Sequence, residues 1–301
     1  MALLVHPPIN FEEILMPIDI GFKNRYNITL MIFKTAQEAF SADSYDTPEN
    51  THRYIGDRIL FNSRWWLYLR FAAVVIGSSR LALKGKYDDG AWIKASFRVF
   101  QHIEGCGGRF HIRGLDNLKK TKEPLIIISN HMSTMETIIF PCLIVPFRPM
   151  TFVVKEALVK GRVFGPIMRS RNPITVSRTN PREDFRAVLD QGKEILEKEV
   201  SLVIFPQATR RSEFIPEQFN SLGIKLAKNT GVKVLPMAIK TDFWSNSKHL
   251  KGFGPIDRKK PIYMTFDKPM TVKGNGKEEH QQIIRFISSH LEEWKKSSKK
   301  D

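Results

Sequence analysis

The sequence is poor in cysteine, poor in acid relative to base, and without a long unbroken apolar run. Its 301 residues hold 2 cysteines, Cys106 and Cys142. These isolated thiols have no metal-ligand spacing, which excludes a cysteine-built metal centre and fits a reducing compartment. Acids number 31 against 47 lysines and arginines, giving a net charge of +16 and a pI near 9.8. Such an imbalance calls for an anionic partner: nucleic acid, an acidic membrane surface or a phosphorylated substrate. The opening MALLVHPPINFEE lacks both a basic n-region and an apolar h-region, so no secretory signal is expected. Repeats and low-complexity tracts are also missing. Hydrophobic residues make up 42% of the chain, an ordinary share that excludes wholesale disorder. A length of 301 residues can bury a substantial core, as one large α/β domain or one domain with an appendage.

Residues 1–60 are the least informative. Ile28 to Phe40 reads as a short amphipathic helix and Asp43 to Asn50 as a loop. Arg64 to Lys84 differs: Trp65, Trp66 and Tyr68 lead into an apolar run from Phe71 to Ile76, bracketed by Arg64, Arg70, Arg80 and Lys84. That run falls well short of the ~20 residues a bilayer crossing requires. Tryptophan and tyrosine beside cations suit the headgroup layer, where a ring is half buried and a charge stays wet. Ala91 to His102, with Trp92, Phe97 and Phe100 among Lys94 and Arg98, reads as a second interfacial helix. The alternative is a pair of ordinary core helices with snorkelling cations.

From Arg109 the pattern becomes α/β. Short apolar runs at FHIR, LIIIS, Thr151–Val154, LVIF, VLPMAI and IYMTF read as strands. Leu115 to Glu123 reads as a polar connection. Pro181 to Glu199 and Glu278 to Lys296 read as amphipathic helices, Pro181 suiting the first helical position. Pro236 inside its apolar run suggests an edge strand or a bulge.

The most informative stretch is IIISNHMSTME, Ile126 to Glu136. A buried strand ends in Ser-Asn-His, and Glu136 follows in what reads as the first turn of a helix capped by Ser133 or Thr134. An imidazole serves as a general base near neutral pH once a carboxylate fixes its tautomer and orientation. On one continuous helix the two residues would stand roughly 140° apart. The pair can therefore meet only if His131 sits in the turn and Glu136 in the first helical turn. That turn is also the carboxyl edge of a strand, where open α/β sheets collect ligands.

A cationic stretch follows. From Arg148 to Arg178, Arg148, Lys155, Lys160, Arg162, Arg169, Arg171 and Arg178 face a single acid, Glu156. Guanidinium groups bind phosphate in pairs of parallel bonds, so the cluster reads as an anion site, with NPITVSR delivering Arg178 to a sheet edge. A third piece, FPQATRRSE, follows the LVIF strand and brings Thr209 and Arg210 to the same edge as His131.

NHMSTME, KEALVKGRVFGPIMRSRNPITVSR, FPQATR and VLPMAI together resemble the four ordered blocks of the glycerolipid acyltransferase family, over roughly Phe110 to Thr241. GLDNL (Gly114 to Leu118) is also similar to that family. The resemblance implies an α/β fold with a mixed, largely parallel sheet flanked by helices and an N-terminal helical membrane-docking region. It divides the chain into an extension of unclear role (residues 1–60), a helical pair (61–103) and an acyltransferase domain (104–301). It makes His131 the general base and Glu136 its orienting partner. Lys155 and Arg178 would hold phosphate, and Phe205, Pro206, Gln207, Thr209 and Arg210 would form the acceptor site. Pro236 falls in the block associated with the acyl side.

Two positions depart from the family pattern: Glu136 stands where Asp is usual, and Gln207-Ala208 where Glu-Gly is usual. The first keeps the charge on a longer arm; the second bears on acceptor identity. The implied reaction moves an acyl group from acyl-CoA or an acyl-carrier protein to the hydroxyl of a lysophospholipid, foremost 1-acylglycerol-3-phosphate, with no cofactor or metal. An enzyme bound to an anionic membrane surface at the cytoplasmic face is expected. Alternatives are another lysophospholipid or a lipid A-type acceptor, or a non-catalytic basic protein that binds anionic lipid. Nucleic acid is not an expected partner, because no groove-reading helix or aromatic stacking motif stands out.

Overall fold

The structure, a computed structural model, describes residues 35–207, 209–247 and 252–297. Helix α1 (Ala36–Ala39), strand β1 (Tyr45–Asp46), α2 (Ile55–Ile59), α3 (Trp65–Leu83) and α4 (Asp89–Gly105) come first. There follow β2 (Phe110–Arg113), α5 (Leu115–Lys119), β3 (Ile126–Ser129), α6 (Met135–Ile144), β4 (Met150–Lys155), α7 (Glu156–Lys160) and α8 (Phe164–Arg169). The chain continues through β5 (Ile174–Val176), α9 (Pro181–Glu197), β6 (Ser201–Ile204), α10 (Leu222–Thr230), β7 (Val234–Lys240), β8 (Ile262–Phe266) and α11 (Lys277–Ser297).

The strands form one sheet in the order β1-β2-β8-β7-β3-β6-β4-β5. Pairing is parallel except at β1–β2 and β7–β8. This is the mixed, largely parallel sheet with flanking helices that was expected. Alternation along β3 shows how both faces are filled. Ile127, with Val203 and Leu235, joins the core that holds Phe71 of α3, Phe100 of α4 and Phe140 of α6. Ile126 and Ile128, with Leu202 and Ile204, join the core of α9, α10 and α11. Side chains two apart point the same way on a strand, so a run of three isoleucines serves both layers. Phe40 and Tyr45, from the stretch that gave little in the sequence, belong to the first of these cores. Residues 28–34 of the helix expected at Ile28 to Phe40 lie outside the described residues; α1 accounts for its last turn.

Several expectations are corrected. Leu115 to Glu123 is not a plain polar connection, for α5 forms there and buries Leu115 and Leu118 completely. The segment Ala91 to His102 is not an interfacial helix: Trp92, Phe97 and Phe100 of α4 are all buried in the core. An aromatic-rich helix with cations on its other face has the same composition in either setting, and only the packing partner decides. Helix α3 spans 19 residues and holds an 18-residue window of mean hydropathy 1.3, enough by length and composition alone to cross a bilayer, while docking at the interface stays open. Pro236 lies on an interior strand rather than an edge. Its carbonyl accepts from Asp267 N at 2.9 Å, just past the end of β8, so its missing N–H falls where the ladder stops.

Helix α6 carries Pro141 within it. Ser96 of α4 inserts its hydroxyl there, donating to Ile138 O at 2.7 Å and accepting from Cys142 N at 2.9 Å. A side chain wedged into the i→i−4 ladder repairs the disruption and staples α6 to α4.

Candidate active site

Strands β3, β6 and β7 are adjacent and parallel, so their carboxyl ends open on one edge. The registers Ile128↔Ile204 and Ser129↔Met237 bring the residues just beyond each strand side by side. Asn130 fixes the first of these turns. Its amide donates to Ile239 O at 2.8 Å and its carbonyl accepts from Ile239 N at 2.9 Å, extending the β3–β7 pairing by one rung. His131 then turns away from the sheet, and Glu136 falls in the first turn of α6, the placement that the spacing demands.

His131 Nδ1 lies 2.9 Å from Glu136 Oε1. A carboxylate only accepts, so Nδ1 carries the proton and Nε2 is left with a lone pair, the tautomer a general base needs. The imidazole also stacks on Phe205, ring centroids 4.3 Å apart and planes 22° apart, which fixes its orientation from the flat side. The ring is 14% exposed, enough to meet a substrate and too little to be hydrated as in bulk water.

Glu136 is fully buried yet well partnered. Besides His131, its Oε1 accepts from Met132 N and Ser133 N, each at 2.7 Å, while Oε2 accepts from Ser133 Oγ at 2.7 Å and Thr241 Oγ1 at 2.8 Å. Burial alone would raise its carboxyl pKa, but the bond and charge of His131, then Ser133, outweigh it and hold the group below the usual glutamate value. The acid therefore stays ionised beside the imidazole.

The segment after β6 locks onto the same turn. Gln207 Oε1 accepts the His131 N–H at 2.9 Å, and Arg211 N donates to His131 O at 3.0 Å. The side chain at the position that departs from the resembled pattern is thus engaged with the backbone of His131. Gln207 is buried, as is Pro206, whose carbonyl accepts from Asn220 Nδ2. Thr209 is exposed. The Arg210 guanidinium donates to Thr134 Oγ1. Burial lowers its pKa, Glu136 opposes that and Arg178 adds to it, so the two guanidinium groups feel one another. Gly252, at φ +97°, closes over this contact: a Cβ there would lie 2.5 Å from Thr134 Oγ1 and 2.9 Å from the guanidinium. A cavity of about 460 Å³ adjoins it, lined by Met132, Arg210, Arg211, Trp244 and Lys260 among others.

The cationic stretch divides. Arg148 is 5% exposed and donates to the carbonyls of Leu118, Thr121 and Glu123. Arg171 donates to Tyr87 O at 2.6 Å and pairs with Asp89, and Arg169 donates to Val159 O. These three pin loops and helices together, contrary to the reading of the whole cluster as an anion site. Lys155 and Arg178 remain at the carboxyl ends of β4 and β5, both exposed. Register places Lys155 opposite Val176, two residues before Arg178. Arg178 holds a left-handed backbone, φ 64°, that non-glycine residues disfavour. Asp184 of α9 fixes it by accepting from Ser177 N and Arg178 N, each at 2.7 Å.

Sequence reasoning missed Ser133 as a ligand of the acid, Thr241, Asn130 and the Thr134–Arg210 contact. Ser133 had a signal: S-x-x-E is the pattern of a capping box, half of which forms here. Thr241 had none, since it meets Glu136 from 105 residues away.

Comparison with known proteins places these features. Residues 109–240 match the family model described as Acyltransferase. A 1-acyl-sn-glycerol-3-phosphate acyltransferase of Pseudomonas aeruginosa is 32% identical over 190 residues, 63% of this chain and 68% of that protein. A chloroplastic 1-acyl-sn-glycerol-3-phosphate acyltransferase of Arabidopsis thaliana is 27% identical over 131 residues, 44% of this chain and 36% of its own length. The chain thus spans about two thirds of the bacterial relative and about a third of the plant one. Among solved structures, the 1-acyl-sn-glycerophosphate acyltransferase PlsC of Thermotoga maritima matches with a TM-score of 0.62 at 20% identity, over 80% of this chain and 97% of that one. This last likeness is one of fold.

Proposed function

Because this chain belongs to the glycerolipid acyltransferase family, we propose that it moves a fatty acyl group from an acyl thioester to the free hydroxyl of a lysophospholipid, 1-acylglycerol-3-phosphate in the first instance. The observation that carries this reading is the His131–Glu136 pair, with Nε2 of the base unengaged and the Arg210 guanidinium on the neighbouring turn. His131 Nε2 takes the proton of the acceptor hydroxyl as the oxygen attacks the thioester carbonyl. The carbon–sulfur bond then breaks, and the imidazolium returns the proton to the departing thiolate. Glu136, ionised and immobile, stabilises the transient imidazolium. Arg210 and Arg178 hold the acceptor phosphate and Lys155 contributes at longer range, which orders the hydroxyl against the base. No cofactor, metal or acyl-enzyme is needed.

The donor is acyl-CoA or an acyl-carrier protein. The protein works at a membrane, on its cytoplasmic face, with α3 providing the apolar contact. Gln207 is committed to the His131 backbone, so acceptor discrimination falls to the cations. A related lysophospholipid or lipid A-type acceptor is therefore the second reading.

The test is an acceptor panel incubated with labelled acyl-CoA and membranes and read by lipid mass spectrometry, run on the wild type and His131→Ala. Phosphatidic acid from lysophosphatidic acid is expected, with a loss of roughly 10²–10⁴-fold in the variant at an unchanged unfolding midpoint. Full turnover by His131→Ala overturns the mechanism, and a product from another acceptor alone redirects the substrate assignment.

A further inference from the structure

Just before α3 lies a short element to which the sequence assigned no chemistry. It presents Ile55, Ile59 and Phe61 at 74%, 67% and 93% exposure, Phe61 being the most exposed large apolar side chain among the described residues. Ile55 and Ile59 stand four apart, on one face of α2. We propose that α2 and the turn after it are a rigid apolar wedge that inserts into an anionic bilayer leaflet beside α3. This rests on the membrane reading above and names a second contact within it.

Rigidity is the first argument. The opposite side of α2 buries Asp57, whose carboxylate takes Arg53 and, at 2.8 Å, Arg258. Arg258 also donates to Cys106 O at 2.8 Å and Asn62 O at 2.6 Å, tying the turn to the core. Gly56 lies against the Trp66 ring, and a Cβ there would come within 2.5 Å of it. Helix α2 therefore cannot roll its isoleucines inward. Phe61 and Asn62 both hold left-handed backbones, φ 53° and 58°, a conformation that L residues resist and that the ion-pair knot maintains. A floppy loop would fold such side chains away from water. This one holds them out.

Charge and continuity select the occupant. Between residues 53 and 84 stand Arg53, Arg58, Arg64, Arg70, Arg80 and Lys84 against a single acid, Asp57, which is buried and paired. Trp65, Leu69, Ile76 and Leu83 continue the apolar surface along the outer side of α3, at 57%, 58%, 45% and 70% exposure. The Arg64 guanidinium lies 5.4 Å from the Trp65 ring centroid, and that of Arg70 5.9 Å from Trp66. Apolar side chains flanked by tryptophan and by an excess of arginine and lysine match the acyl, interfacial and phosphate levels of an anionic leaflet in turn.

The experiment uses the full-length protein and vesicles of phosphatidylglycerol and phosphatidylcholine. Cys106 and Cys142 are buried, and burial pushes both thiols up to about 12, so Phe61→Cys can be labelled selectively with an environment-sensitive fluorophore. The label is expected to be solvent-exposed without vesicles, then blue-shifted and quenched by brominated lipid when they are added. The combined variant Ile55→Ser, Ile59→Ser, Phe61→Ser is expected to partition roughly tenfold or more weakly, with unchanged turnover on a water-soluble short-chain acceptor. If that variant partitions like a wild type that binds, the wedge is overturned and the membrane reading stands. A wild type that ignores the vesicles overturns both. A label already shielded before vesicles are added shows that protein, not lipid, covers the patch, and overturns the wedge.

Discussion

The two sides of the candidate site, the acid–imidazole pair and the cations at neighbouring strand ends, are built differently. On one, Glu136 is enclosed and accepts from five donors, four of them within six residues of it and one from the end of β7. On the other, Lys155 and Arg178 stand exposed at strand ends, and Arg210 leans on a single hydroxyl. The acid side is preorganised, and under the proposed mechanism the imidazole would be aimed before substrate arrives. The cationic side is more open to solvent, with Lys155 and Arg178 exposed, and offers its charge to an anion from separate strand ends. In the proposed reaction the first side would serve chemistry and the second capture.

Glu136→Gln strikes the first side hardest. It keeps a side chain of the same size but removes the charge that stabilises the imidazolium, and turnover is expected to fall about a thousandfold or more, with little change in acceptor KM. Initial rates of thiol release measure this. Arg210→Ala is expected to do the reverse, raising acceptor KM roughly 10- to 100-fold with a much smaller effect on kcat. Equal losses of kcat in both variants would erase the distinction between the two sides.

Acid pH separates them without loss of groups at the cationic side. Glu136 has its native pKa held below the ordinary 4.5, so its stabilising contribution is complete above that value and is lost as pH falls from there through the native one. Urea midpoints should drop for the wild type in that window and drop less for Glu136→Gln. The smallest effect is expected of Thr241→Val, which leaves Glu136 one donor short. It should lower stability by about 1–2 kcal/mol in urea titrations and turnover by less than roughly tenfold; a catalytic loss as large as that of Glu136→Gln would mean that Thr241 orients the acid rather than only satisfying it.

Local features were legible where spacing forces geometry. His131 and Glu136 can touch only across a strand-to-helix turn, and β3, β6 and β7 announce themselves as short apolar runs. The partners of Glu136 and Asn130 on β7 and just past its end were not legible, because strand order decides them and they lie 105 and 109 positions away in the sequence. Charge was the poorest guide. Arg148, Arg169 and Arg171 look in sequence like Arg178, yet they serve carbonyls of neighbouring loops whose positions only the fold determines. Pro236 misled for a related reason: a missing N–H matters only where a neighbouring strand would have used it.

The outer row of α3 also governs how the protein behaves in a test tube. In plain buffer, Trp65, Leu69, Ile76 and Leu83 meet either water or the same row on another molecule. Long-range repulsion between molecules of net charge +16 opposes contact between those rows. Added salt screens that repulsion within about 10 Å at 0.1 M while leaving the apolar attraction intact. Dilute rather than concentrated salt is therefore expected to favour single molecules, and a mild detergent that covers the row is expected to remove the salt dependence.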